Sequence, residues 1–310
     1  MAWQPSSTLE QLKFRAATMA AIRVFFANRN MLEVELPVLG SHTVTDPNLE
    51  SLVVAMGDSR LFLQTSPEYF MKRLLAAGSG AIYSLGKAFR KDERGRNHNP
   101  EFTLLEWYRP GLDERELANE VIALVEHLQP GIKSTSSRYD ELFEAFCGVN
   151  PHRASVAELK ALAKQRLNID WPDEHRSVWL DVLFTHLVEP ELGGRLQLVF
   201  DFPACQSALA QTYCNPQGDT VARRFELYWC GLELANGYFE LTDASEQRRR
   251  FDDDCALREE LGREYVQADE NLLKALEEGL PPCAGVALGV DRLLMCLQGK
   301  TDISDVVSFR

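Results

Sequence analysis

The chain predicts an α+β fold, a mainly antiparallel sheet flanked by helices, and three observations carry that expectation. Strand-like and helix-like stretches follow one another without regular strand–helix–strand alternation, which argues against a doubly wound parallel sheet. Two strand patterns, 81–90 and 101–109, are separated by the charged, Gly- and Asn-containing stretch 91–100, so they form a hairpin with a long polar tip. A length of 310 residues with 45% apolar composition suffices for a substantial core, and we expect residues 1–310 to make a single domain.

The elements follow in order. Residues 7–30 place Leu9, Leu12, Ala16, Met19, Ile22 and Phe26 at three-to-four-residue spacing behind a Ser7-x-x-Glu10 capping box, the pattern of a long amphipathic helix. Residues 32–36 read as a short strand closed by Pro37, which has no amide proton to donate to a sheet. A helix is expected over 66–77, then the hairpin, then helices over 113–128, 155–167 and 175–188. Strands over 196–202 and 225–234 precede a helix capped by Asp243-x-x-Glu246 and another over 270–278 that ends at Gly279. A strand over 283–289 enters a last helix at Val290, and no internal repeat or obvious linker interrupts the order.

Bulk properties exclude several function classes. No run approaches the ~20 uncharged apolar residues that span a bilayer, and the N-terminus has neither a basic flank nor a long apolar stretch, so a soluble, unexported protein is expected. Seven cysteines lie scattered, without a CxxC pair or a neighbouring His at zinc-finger spacing, which suits reduced thiols in a cytoplasm. A net charge of −13 argues against tight nonspecific nucleic-acid binding, since phosphate contacts need clustered cations.

Chemistry gathers at two places. In the second hairpin strand, period-two geometry puts Phe102, Leu104, Glu106 and Tyr108 on one face and Thr103, Leu105 and Trp107 on the other. An aromatic ring, a carboxylate and a phenol on one face suit a ligand better than a dry core, because a buried carboxylate needs a partner. Near the C-terminus a small-residue strand ends at Gly289 and delivers Arg292 onto the first turn of a helix. Taken singly, Gly289 is equally an ordinary turn and Arg292 an ion-pair partner.

Together these features resemble class II aminoacyl-tRNA synthetases. Arg90 with its long loop and His98-Asn99-Pro100-Glu101-Phe102-Thr103 resemble motif 2, Gly289-x-Asp291-Arg292 resembles motif 3, and Pro37 resembles the motif 1 proline. Thr65-Ser66-Pro67-Glu68, Glu233-Leu234-Ala235-Asn236-Gly237 and Glu240-Leu241 resemble the lysyl-tRNA synthetases in particular. The likeness covers nearly the whole chain, but it begins at the helix before motif 1, so no anticodon-binding OB domain is expected. It is similar in this to shortened lysyl-tRNA synthetase paralogues that attach (R)-β-lysine to a lysine of translation elongation factor P.

The resemblance implies the class II catalytic fold and a two-step reaction. A carboxylate attacks the α-phosphate of ATP, and an amine then opens the acyl-adenylate. It implies ATP and Mg²⁺ as cofactors, lysine or (R)-β-lysine and elongation factor P as substrates, a homodimer, and no stable tRNA or membrane binding. Arg90 and Arg292 are implied as the catalytic cations, and guanidinium suits phosphate by being planar and permanently charged. Lys91, Asp92, His98, Asn99, Phe102, Glu233, Leu234 and Gly289 are implied around the nucleotide, with Glu233 on the metal. Ser66, Pro67, Glu68, Glu106, Tyr108, Glu240 and Ala287 are implied around the amino acid.

One departure concerns the acid after Arg90, where Asp92 or Glu93 stands in for the usual Arg-x-Glu. An acid at Glu240 implies a cationic substrate side chain. Strict alternation would put Glu233 and Glu240 on opposite faces, so a bulge near Asn236-Gly237 is expected. The loop cations Lys87, Arg90, Lys91, Arg94 and Arg96 suit either docking of an acidic partner or plain solvation. Aminoacylation of a protein, a reduced synthetase charging tRNA or a small molecule, and a non-catalytic lysine or nucleotide sensor all remain open at this point.

Overall fold

The computed structural model describes residues 3–91 and 93–310. Helix α1 (Leu9–Ala27) is capped by Thr8, one residue later than the expected cap, Ser7. The Thr8 hydroxyl accepts from the Gln11 amide at 3.3 Å, while the Gln11 side chain accepts from the Thr8 amide at 2.8 Å. Ser7 turns its hydroxyl into the protein, where it finds no partner, so the cap falls to the next hydroxyl. The helix buries Thr18, Ile22, Phe25 and Phe26 and leaves Leu9 and Val24 exposed.

After β1 (Leu32–Glu33), three strands missed in the sequence, β2 (Leu39–Gly40), β3 (Val53–Met56) and β4 (Ser59–Leu63), form a separate small sheet in the order β2-β4-β3. They are short and largely unburied, so no apolar alternation announces them. Helix α2 (Glu68–Ala76) leads to the hairpin of β5 (Ile82–Phe89) and β6 (Glu101–Pro110). The expected strand 32–36 shrinks to β1 because ladder pairing with β5, which is parallel, ends at Glu33; only the Val34 amide reaches further, to the Tyr83 carbonyl at 2.8 Å.

Helix α3 (Glu114–Leu128) carries a full Asp113–Glu116 capping box. Then come β7 (Ser134–Arg138), α4 (Tyr139–Cys147), α5 (Val156–Leu167) and α6 (Arg176–Leu183), which continues as a π-helical turn, Phe184–Val188, before Pro190. β8 (Leu196–Pro203), β9 (Thr212–Cys214), β10 (Thr220–Trp229) and β11 (Leu232–Phe239) follow. The expected single strand 225–234 is broken in its middle by the turn of the β10–β11 hairpin, its ends lying in the two strands: Cys230 and Gly231 both have positive φ, 53° and 72°. Only Gly231 marks that turn in the sequence. Helices α7 (Ala244–Glu260) and α8 (Glu270–Gly279), strand β12 (Cys283–Gly289) and helix α9 (Val290–Gln298) complete the chain.

The main sheet has nine strands in the order β1-β5-β6-β12-β11-β10-β8-β7, with β9 against β10. Only β1–β5 and β7–β8 are parallel, so the expected antiparallel α+β architecture is found. No closed strand barrel of OB type forms among the described residues. One face of the sheet, with Leu105, Trp107, Phe225, Ala235, Val286 and Leu288, packs against Ile22 and Phe26 of α1, Leu117 and Val121 of α3, and Leu293 of α9. Each Val, Leu, Ile or Phe among them contributes roughly 1.5–3 kcal/mol by leaving water.

The opposite face is covered only at its two ends. At one, Phe143, Leu159, Trp179 and Phe184 cluster on Phe202 and Tyr228; at the other, Met71, Leu75, Phe251 and Leu273 cluster on Ile82 and Tyr108. A cavity of about 910 Å³ lies between them. No helix among the described residues is long and apolar enough to cross a membrane, and all seven cysteines are free thiols.

Candidate active site

Register fixes which side chains face the cavity, because directly paired residues of neighbouring strands share a face. Glu106 pairs with Ala287 and Tyr108 with Gly285; Ala287 pairs with Asn236 and Gly285 with Tyr238; Asn236 and Tyr238 pair with Glu226 and Arg224. One polar surface therefore runs across four strands, and the expected Phe102–Leu104–Glu106–Tyr108 face is part of it. Glu233 joins it through a bulge. Leu227 pairs with Ala235 while Tyr228 pairs with Glu233, which leaves Leu234 unpaired. The expected bulge exists, but at Leu234 instead of Asn236-Gly237, and it lets both Glu233 and Glu240 reach the cavity.

At the nucleotide end, Arg90 and Arg292 line the same cavity. The Arg90 guanidinium lies 5.1 Å from the centre of the Phe102 ring and pairs with Glu93 at 3.0 Å, and its Nε is buried without a hydrogen-bond partner among the described residues. Arg292 donates to the Glu233 carbonyl at 2.8 Å, approaches the Glu233 carboxylate at 3.7 Å and contacts His98 Nε2. Burial, then the Arg292 charge, holds His98 below its ordinary value, so the imidazole is neutral and can accept from Arg292.

Motif 3 is braced through its other charged residue. Buried Asp291 accepts from the Thr103 amide at 2.8 Å and from Arg15 at 2.6 Å, while Arg15 also donates to the Thr103 hydroxyl at 2.6 Å. Helices α1 and α9 and strand β6 are thereby fastened at one point, one residue from Arg292.

At the other end two carboxylates hold one ammonium, and a third, Glu106, lines the cavity with them. Lys72 Nζ stands 2.6 Å from Glu240 and 2.7 Å from Glu68, and both Lys72 and Glu240 are 1% exposed. Glu106 accepts from the Tyr108 hydroxyl at 2.8 Å, and its second oxygen has no partner. Burial, reinforced by Glu68, pushes the Glu106 carboxyl well above its usual range; burial pushes Glu240 up to about 7 against the pull of Lys72. For Lys72 burial alone would lower the value, but the Glu240 and Glu68 charges outweigh it and hold the ammonium protonated.

Gly285 makes room for this arrangement. A methyl there would stand 2.2 Å from the Tyr108 ring and 2.5 Å from a Glu240 oxygen.

Ser66, Glu68, Glu106, Tyr108, Glu240, Ala287, His98, Asn99, Phe102, Glu233 and Gly289 all line the cavity with the two arginines. Pro67 and Lys91 do not: Pro67 is buried as the cap of α2, and Lys91 is exposed with its amide on the Glu50 carbonyl. Leu234 puts its side chain into the core, so only its main chain lines the cavity. Asp92 lies outside the described residues, whereas Glu93 pairs with Arg90.

The loop cations do not form one free patch. Arg96 donates to the Thr301 carbonyl at 2.6 Å and Lys87 pairs with Glu101 at 3.1 Å.

Lys72, Arg224, Glu226 and Gly285 were missed. Arg224-x-Glu226-x-Tyr228 repeats the period-two polar pattern seen in Glu106-x-Tyr108, and Glu68 with Lys72 is an i,i+4 acid–base pair. Glu226 is held by Arg224 at 2.5 Å and by the Tyr228 hydroxyl; burial pushes it up to about 7 against the Arg224 charge. No group of three or more His, Cys, Asp or Glu able to hold a metal ion occurs among the described residues. Glu233, the more accessible carboxylate at 40% side-chain exposure, fits a Mg²⁺ that takes its remaining oxygens from phosphate and water.

Comparison with known proteins agrees with this geometry. The profile of the family described as tRNA synthetases class II (D, K and N) matches residues 1–310. The chain is 46% identical to the elongation factor P--(R)-beta-lysine ligase of Klebsiella pneumoniae, over 99% of this chain and 97% of that protein. It is 47% identical to the ligase of that name from Histophilus somni and 46% to that of Vibrio parahaemolyticus, with the same coverage of each chain. With a family match along its whole length and the two arginines and the acidic pocket in one cavity, the chain belongs to the tRNA synthetases class II (D, K and N).

Proposed function

We propose that the chain activates (R)-β-lysine with ATP and transfers it to a lysine side chain of elongation factor P. The observation that carries the proposal is a single cavity with Arg90 and Arg292 at one end and Glu68, Glu106 and Glu240 at the other. Cations at one end suit a triphosphate; buried acids at the other suit a substrate carrying ammonium groups.

The substrate carboxylate is already a nucleophile, so catalysis rests on positioning and on stabilising charge at phosphorus. Arg90, stacked near Phe102 with an unsatisfied buried Nε, is placed to receive the α-phosphate. Arg292, held only by carbonyls, the neutral His98 and a long contact to Glu233, is free to re-form its contacts on the outer phosphate and the adenine. Mg²⁺ held by Glu233 would neutralise charge on the phosphates. At the far end Glu240 and Tyr108 receive the side-chain ammonium, with Ser66, Glu68 and Glu106 around the second amine and the carboxylate.

Ala287 bears on isomer choice. Its methyl stands on the cavity face between Glu106 and Asn236 and, in this reading, crowds an α-amine while leaving room for a β-amine. One methyl group in a pocket is worth about 1–3 kcal/mol, or roughly 10–200-fold. Ala287→Gly should therefore move the preference towards α-lysine, and an unchanged preference would remove this role.

We further read the protein as a cytoplasmic homodimer that does not stably bind tRNA. The decisive experiment incubates the protein with ATP, each lysine isomer and elongation factor P, then weighs the factor intact. A gain of one lysyl residue that needs ATP is expected; no gain with any isomer would refute the proposal.

A further inference from the structure

We propose that Lys72 is a positioning residue for the amino-acid substrate: its ammonium, paired also with Glu68, holds the Glu240 carboxylate in place, so that Glu240 offers its second oxygen to the incoming side-chain ammonium. This rests on the lysine-activating function above. Lys72 is 1% exposed on α2 and stands 2.7 Å from Glu68 and 2.6 Å from Glu240. A lysine is seldom so deeply buried unless paired, and here its nearest contacts are Glu68 Oε1 and Glu240 Oε2. The other Glu240 oxygen, Oε1, has no hydrogen-bond partner among the described residues and faces the space that Gly285 leaves empty.

The charges close only with Lys72 in place. Glu68 and Glu240 set two acids against its one ammonium, while burial and the Glu68 charge push the Glu106 carboxyl well above its usual range and the Tyr108 hydroxyl donates to it. A lysine side chain then supplies the missing cation. Without Lys72, neighbouring buried acids would repel one another, and Glu240, already pushed up to about 7, would rise further, stay protonated at pH 7 and cease to attract a cation.

The groups that bear on Glu240 come from each element packed around it. They are Glu68 and Lys72 on α2, Glu106 and Tyr108 on β6, Cys283 on β12 and Tyr238 on β11, with Arg250 of α7 on the adjacent Ala210 carbonyl. Lys72 is the one cation among them in direct contact with the carboxylate.

The test has two arms. In the first, ¹³C-glutamate-labelled protein is titrated by NMR without substrate, with Glu240→Gln identifying the resonance. In Lys72→Met the Glu240 midpoint should rise by at least ~1 pH unit, equivalent to about tenfold in proton affinity. An unmoved midpoint overturns the proposal.

In the second arm, pyrophosphate exchange is followed with α-lysine and with (R)-β-lysine. The lysine KM of Lys72→Met should be raised roughly tenfold at pH 7 and return to near the wild-type value at about pH 9, with kcat little changed. Lys72→Arg should keep the wild-type profile. A merely structural role would lower activity and thermal stability at every pH without moving the acid limb, and that result also overturns the proposal. Should Lys72→Met not fold, Lys72→Gln keeps hydrogen bonding without charge and serves in both arms. If the wild type shows no exchange with either isomer, the lysine-activating function falls, while the NMR arm still decides the role of Lys72.

Discussion

Arg292 and Gly285 show how differently single residues can matter at this site. Arg292→Ala removes a preorganised cation, and kcat/KM for pyrophosphate exchange should fall by about 10²–10³-fold with the fold intact by circular dichroism. Gly285→Ala has the reverse character. The added methyl meets the Tyr108 ring at 2.2 Å, so lysine-dependent exchange should be lost and urea unfolding should show a cost of about 1–3 kcal/mol. His98 supplies a pH dependence. Its folded value lies below the ordinary 6.5 because burial and Arg292 disfavour the proton. Its contribution to stability is therefore complete above 6.5 and is lost as pH falls from there through the folded value. The pH dependence of thermal melts should differ between wild type and His98→Gln on the acid side only, where the wild type alone loses stability through this group; a different slope near pH 8 would contradict the assignment.

At the scale of elements, Asp291 joins three pieces of structure that carry the motifs. Asp291→Ala leaves Arg15 partly buried without its carboxylate and the Thr103 amide unsatisfied, and should cost about 3 kcal/mol in chemical denaturation. If the loss were only that of a surface pair, below about 1 kcal/mol, the bracing role would be wrong.

Long elements with a buried stripe or face were legible in the sequence: α1, α3, the β5–β6 hairpin, and β12 running into α9. The short sheet β2-β4-β3 was not, since its strands bury little. Nor was the β10–β11 turn, where the positive-φ residue beside Gly231 is a cysteine, with no Asn or Asp to announce it. At the site, most residues carried by motif resemblance reached the cavity, Pro67 and Lys91 excepted, whereas Lys72 and Arg224 stayed hidden. A buried cation looks like a surface one until the acids that face it are known. Parity alone demanded a bulge between Glu233 and Glu240, but not its position, because nothing in the local sequence distinguishes Leu234 from its neighbours.

For the whole molecule, the apolar side chains left in water on and just after α1 are the outstanding feature. Leu9, Phe14, Val24, Leu32 and Val38 are all at least 39% exposed, an exposure that suits a partner subunit. Combined Val24→Glu and Leu32→Glu should turn a sedimenting dimer into a monomer, and a wild type that sediments as a monomer at every concentration would end that expectation.

The sheet itself is a partition with unlike duties on its two sides, so tolerance to mutation should be striped along each central strand. In β6, changes at Leu105 and Trp107 should yield temperature-sensitive protein, and changes at Glu106 and Tyr108 well-folded but inert protein. In β11 the stripes should slip by one step at Leu234. Deleting any single residue between Leu234 and Glu240 would reverse their phase and send an acid into oil, which makes that short segment far less forgiving of a lost residue than of an altered one.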